Sequence, residues 1–122
     1  MRTELARVFQ IEAAHSLPNV SEGHKCRRLH GHSFRITVRI SGPVDERTGW
    51  MVDFAEIKRA WQPLHDALDH RHLNEVAGLD NPTSEVLARW ILERFRIPGV
   101  SLRSVTIAET CTAECTVYAD ED

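Results

Sequence analysis

Two histidines separated by one residue, His30-Gly31-His32, are the first feature that could do chemistry. In an extended segment residues i and i+2 point to the same side, so both imidazoles can face one metal ion. Gly31 between them leaves the opposite face bare. Two solvated histidines at the start of a strand would read the same way. His15 strengthens the metal reading, because it ends an earlier apolar-alternating segment, the natural neighbour of the one His30 opens. It could bring a third nitrogen to the same level. Three neutral imidazoles leave one tetrahedral position open, which is the arrangement of catalytic zinc.

Cys26 lies four residues before His30, in His24-Lys25-Cys26-Arg27-Arg28-Leu29. Its three cationic neighbours favour the thiolate, hence nucleophile or base chemistry, and they could also hold an anionic group such as a phosphate chain. A polar loop with an incidental cysteine is the alternative. Asp69-His70 sets a carboxylate beside an imidazole, which it can orient as a proton carrier. A histidine favoured by the carbonyl end of a helix would look no different. His72 is a decoy by the same logic, and His65 lies off the apolar stripe and is expected to face solvent. Glu109 shares a strand face with Val105 and Ile107, so its carboxylate points toward an interior or an interface. There it could make a salt bridge, or its two oxygens could take parallel N–H donors from a flat ring such as a 2-aminopyrimidinone. Cys111 and Cys115 are expected to be buried thiols, since nothing nearby completes a second metal site.

The elements that must position these residues follow from periodicity. Residues 3–15 alternate as a strand, with Leu5, Phe9, Ile11 and Ala13 on the face of His15. A long polar loop runs from Ser16 to Leu29, and loops of that length are usually functional or disordered. Residues 32–41 form a second strand with Phe34, Ile36, Val38 and Ile40 on one face and Arg35, Thr37 and Arg39 on the other. Asp53 caps a first helix, with Glu56 completing a capping box; its stripe is Phe54, Ile57, Trp61, Leu64 and Leu68. Pro63 should kink it. Asn81-Pro82-Thr83-Ser84-Glu85 opens a second helix that packs through Val86, Leu87, Trp90, Ile91 and Phe95. Residues 102–109 and 115–119 close the chain as two strands. The order β-β-α-α-β-β indicates an α+β fold, a four-stranded antiparallel sheet with two helices on one face. The long outer strands would expose unpaired backbone, which closure into a shared barrel would remove.

The composition agrees with one globular domain over residues 1–122: 42% hydrophobic, 27% charged, 6 Gly and 5 Pro. Fifteen Lys+Arg against 18 Asp+Glu give a net charge of −3, which speaks against a nucleic-acid partner held by bulk charge. No apolar run approaches the ~20 residues of a membrane span, and the first seven residues give no expectation of a secretory leader. Three cysteines without framework spacing suit a reduced, cytoplasmic setting.

Together, Glu12-Ala13-Ala14-His15-Ser16-Leu17-Pro18, Cys26-Arg27-Arg28-Leu29-His30-Gly31-His32, Leu68-Asp69-His70, Asn81-Pro82-Thr83-Ser84-Glu85 and Glu109-Thr110-Cys111 closely resemble the 6-pyruvoyl-tetrahydropterin synthase superfamily. The resemblance runs from Phe9 to Cys115. The stretch Glu22-Gly23-His24-Lys25 and the segment from Glu109 to Cys115 look most like its queuosine-pathway branch, the 6-carboxy-5,6,7,8-tetrahydropterin synthases. The resemblance implies Zn2+ held by His15, His30 and His32, with Cys26 as general base, Asp69 and His70 as a proton relay, and Glu109 as anchor of the pterin ring. It also implies the tunnelling fold, in which sheets join around a trimeric barrel and two trimers stack into a homohexamer. The implied substrate is a pterin triphosphate, 7,8-dihydroneopterin triphosphate. Two other readings stay open at this point: a 6-pyruvoyl-tetrahydropterin synthase acting on the same substrate, and a zinc-binding protein without catalysis. The latter would have no use for a thiol in a basic loop.

Overall fold

Alternation of apolar and polar residues makes the two long strands, and it decides which face each buries. In the computed structural model, which describes residues 1–119, β1 spans Arg2–His15 and β2 spans His30–Pro43. They pair antiparallel along their whole length, with Phe9 opposite Ile36, Ile11 opposite Phe34 and His15 opposite His30. Because paired residues share a face, this register lines up one apolar surface and ends it in histidines. The helix α1 (Phe54–Leu68) and the helix α2 (Ser84–Arg94) cover that surface. Ile57, Trp61, Leu64 and Leu68 of α1 and Leu87, Ala88, Trp90 and Ile91 of α2 join Phe9, Ile11, Phe34, Ile36, Val105 and Ile107 in one core. Trp61 stacks on Phe9 with ring centroids 4.6 Å apart.

The α+β reading holds, and the sheet carries one strand more than periodicity predicts. Between the helices, β3 (Arg71–His72) pairs parallel with Ala13 and Ala14 of β1. After α2 come β4 (Ser101–Ala108) and β5 (Cys115–Tyr118), giving the order β3-β1-β2-β4-β5. A two-residue bridge has no period for a sequence to show, so β3 escapes pattern reading. Helix α1 is capped by the Asp53 carboxylate, which accepts the Ala55 N–H at 2.9 Å. The Glu56 carboxylate pairs with Arg59 where a capping box would have it reach back to Asp53. The helix runs on through Pro63, whose ring is exposed. The carbonyl of Arg59, which loses its donor there, lies on the solvent side.

No helix among the described residues is long and apolar enough to cross a membrane. Among the described residues, no helix covers the other face of the sheet. Along β1 it shows exposed Glu4, Ala6, Val8, Gln10 and Glu12. Along β2, β4 and β5 it shows a polar row in which the Arg39 guanidinium donates to Thr106 Oγ1 at 2.7 Å and Thr106 meets Thr116 at 2.7 Å.

Candidate metal centre and active site

The strand register brings three histidines together. His15 and His30 are direct cross-strand partners, and His32 lies two residues along β2 on the same face. Their ring centroids are 4.6, 4.9 and 5.2 Å apart, and one ligand nitrogen from each lies within 4.8 Å of the others. Backbone carbonyls set two of the tautomers. His15 Nδ1 lies 2.8 Å from the Pro82 carbonyl and His30 Nδ1 lies 2.7 Å from the Arg28 carbonyl. A carbonyl only accepts, so each Nδ1 carries the proton and each Nε2 keeps a free lone pair. The Nε2 atoms of His15 and His32 are buried without a hydrogen-bond partner. Burial holds the His15 imidazole below its usual range, toward the neutral form a metal needs. Three ring nitrogens at this spacing, two of them buried without a partner, fit a three-histidine zinc site.

Cys26 sits half-buried in a single 3₁₀ turn, Lys25–Arg27. Its carbonyl accepts the Leu17 N–H at 2.8 Å, two residues beyond His15. Its own N–H donates to His24 Nδ1 at 3.0 Å. The thiol is therefore carried on a loop tied to the end of β1 and, through the Arg28 carbonyl, to His30. Of the three cations beside it, Arg27 is committed to that loop: its guanidinium donates to the carbonyls of Pro18 and Val20.

Asp69 and His70 do face each other. His70 Nδ1 lies 2.8 Å from Asp69 Oδ2, and the contact depends on an unusual backbone, since His70 has a φ of 57°. Non-glycine residues seldom occupy that region, and they concentrate at functional sites. The β1 edge supports the conformation: the Glu12 N–H donates to Asp69 Oδ1 at 2.9 Å, and the His70 N–H donates to the Glu12 carbonyl at 2.6 Å. The Glu12 N–H, then the His70 ring, hold the Asp69 carboxyl below the usual carboxylate range.

Glu109 follows the last residue of β4, and its side chain is 27% exposed. One oxygen accepts the Ser84 hydroxyl at 2.8 Å, and the other lies 3.7 Å from His32 Nε2. It thus stands between the metal cluster and the first turn of α2. A cleft of about 220 Å³ opens beside it, lined by Ser84, Glu85, Ile107, Glu109, Thr110 and Cys115. The larger hollows elsewhere on the surface have no histidine cluster or relay on their walls.

Several expectations change. Cys111 is exposed and Cys115 half-buried, because only Cys115 lies on a strand; burial pushes its thiol up. His65 does not face only solvent, for its Nε2 lies 3.4 Å from Asp69 Oδ2. His72 meets Glu75 rather than the relay. Sequence reasoning missed Asn74, whose amide clamps the backbone of Ser16 from both sides, and the contact of Ser84 with Glu109, since the sequence marks Ser84 only as part of the Asn81–Glu85 segment.

Comparison with known proteins agrees with this geometry. The family model described as 6-pyruvoyl tetrahydropterin synthase matches residues 4–120. A Synechocystis protein named 6-carboxy-5,6,7,8-tetrahydropterin synthase is 44% identical, over 91% of this chain and 89% of its own. A Pyrococcus furiosus protein named dihydroneopterin monophosphate aldolase is 34% identical, over 89% and 91%. The solved structure of Caenorhabditis elegans 6-pyruvoyl tetrahydropterin synthase superimposes with a TM-score of 0.87 at 28% identity, covering 98% of this chain and 97% of that one. On the family match and these relatives, the chain belongs to the 6-pyruvoyl tetrahydropterin synthase family.

Proposed function

We propose that the chain is a zinc-dependent lyase of queuosine (7-deazaguanine) biosynthesis. It would convert 7,8-dihydroneopterin triphosphate and water to 6-carboxy-5,6,7,8-tetrahydropterin, triphosphate and acetaldehyde. The observation that carries this reading is the clustered trio His15, His30 and His32, with the Nε2 atoms of His15 and His32 buried and unpartnered, in a chain 44% identical to a relative named for that product. The three histidines would hold zinc, which when bound supplies Lewis acidity toward the hydroxyls of the substrate side chain.

The remaining steps belong to the chain's own residues. Cys26 as thiolate takes a side-chain proton, and its loop, tied to both metal-bearing strands, keeps it in place. His70 has its Nδ1–H committed to Asp69, so its Nε2 is the atom that accepts and returns protons. Glu109 receives parallel N–H donors of the pterin ring, with Ile107 as an apolar wall of the cleft beside it. With Arg27 committed to the loop, Lys25 and Arg28 are the side chains left near Cys26 for the triphosphate.

We further propose a homohexamer of two stacked trimers. Strand β1 pairs with β3 only at Ala13 and Ala14, so most of its outer edge is open, and β5 is open at the other end of the sheet. Joining these edges between copies would close a barrel around the uncovered polar face. Three free thiols support a cytoplasmic setting, and the span of the family match supports one domain.

A 6-pyruvoyl synthase reading is favoured by the likeness to the Caenorhabditis elegans structure. The products decide. Incubation with 7,8-dihydroneopterin triphosphate should yield acetaldehyde, followed with a coupled alcohol dehydrogenase, and a carboxypterin identified by mass. Stoichiometric triphosphate without acetaldehyde, with all three side-chain carbons retained, would select the pyruvoyl reaction.

A further inference from the structure

The Asp69–His70 pair has a third neighbour that the chemistry above does not use. His65 lies one helical turn before Asp69 at the end of α1, where residues i and i+4 share a face. Its Nε2 stands 3.4 Å from Asp69 Oδ2, the same oxygen that meets His70 Nδ1 at 2.8 Å. The other oxygen of Asp69 is held by the Glu12 N–H. One carboxylate is thus hydrogen-bonded from β1 through Oδ1 and faced from α1 by the His65 ring at Oδ2, with the His70 ring as the group it orients. That ring is 77% exposed, and Asp69 is its hydrogen-bond partner among the described residues. Any freedom of the Asp69 carboxylate therefore passes directly to His70.

We propose that His65 is a positioning residue for the Asp69–His70 pair, resting on the reading of that pair as the proton relay. A histidine there solely to meet the helix carbonyls would leave the rate untouched. Other charges face this cluster. Arg7 of β1 and Lys58 of α1 line the groove beside His65, and the Glu12 carboxylate is engaged by Ser33 and Gln10. The His65 and His70 rings stand on the same oxygen of Asp69. Loss of His65 should therefore change the pH dependence of turnover as well as its rate.

The test uses the zinc-loaded enzyme and five variants, with folding followed by melting temperature and loading by zinc content. His65→Ala should lower kcat roughly three- to tenfold with little change in KM, the range for loss of a supporting contact. It should also displace one limb of the pH profile of kcat. His65→Gln, which keeps a donor for Asp69, should recover most of the rate. In an Asp69→Asn background, His65→Ala should add no further loss. The proposal is overturned by a native rate and pH profile in His65→Ala, by equal slowing in the Ala and Gln variants, or by an undiminished loss in the Asp69→Asn background. His70→Ala reports on the underlying reading separately, since a native rate there rejects the relay whatever His65 does.

Discussion

At the scale of single residues, the proposed function divides the work between histidines that would hold a metal and a Cys26 thiol that would move a proton. His15 and His30 have their Nδ1 protons fixed by backbone carbonyls, so their Nε2 lone pairs are ready before any metal arrives. The purified protein should carry about one zinc per chain, and His32→Ala should lose most of it. Cys26→Ala should keep the zinc and lose roughly 10²–10⁴ in rate, the range for a positioned base. Glu109→Gln should instead raise KM, because an amide donor would then face ring N–H groups. Metal analysis beside steady-state kinetics checks all three. Full zinc retention in His15→Ala, His30→Ala and His32→Ala together, or native turnover by Cys26→Ala, would defeat these assignments.

At the scale of elements, acid should find the joint between α1 and β1. The Asp69 carboxyl is lowered by the Glu12 N–H and the His70 ring, and the Glu12 carboxyl by Ser33 and Gln10. A carboxyl lowered in the folded state contributes stability above its unfolded pKa and loses it as pH falls through the folded value. The melting temperature should therefore fall on acidification through the carboxylate range, and fall less steeply in Asp69→Asn; equal slopes would show that the pair contributes nothing. Much of this scaffold was legible. The period-2 alternation of residues 32–41 and the stripe from Ile57 to Leu68 name their buried faces directly, while Phe54, read into the same stripe, is exposed at the first turn of the helix. Contacts that depend on one backbone angle or on a chain crossing were not. The approach of Asp69 to His70 needs a left-handed residue that propensity disfavours. The clamp of Arg27 on Pro18 and Val20 depends on how a polar loop folds back on itself. His65 is the intermediate case: its i+4 spacing to Asp69 was visible, but its lack of apolar company pointed to solvent.

At the scale of the molecule, the unsatisfied parts are edges. The outer side of β1 and the free side of β5 offer backbone donors and acceptors that a monomer would leave to water. A closed assembly satisfies them, so sedimentation or light scattering at micromolar protein should show species several times the 13.9 kDa chain. A 13.9 kDa species alone would contradict the edge argument. A trimer alone would keep it and remove only the stacking.

The candidate metal ligands sit on a cross-strand register, while the other candidate groups arrive on separate pieces of chain: Cys26 on the loop between β1 and β2, the Asp69–His70 pair after α1, Glu109 after β4. Register is stiff, since a slip of one residue would turn His15 or the His30–His32 pair to the wrong face. Loops and helix ends tolerate rewriting. The architecture thus separates a conservative component from a variable one, much as a tool handle is separate from its bit. Relatives that bear the names of a carboxypterin synthase, a pyruvoyl synthase and an aldolase are what such a division allows. A change of reaction within the fold would then be written in the stretch from Ser16 to Leu29 and around Glu109, leaving the register of β1 against β2 as it stands.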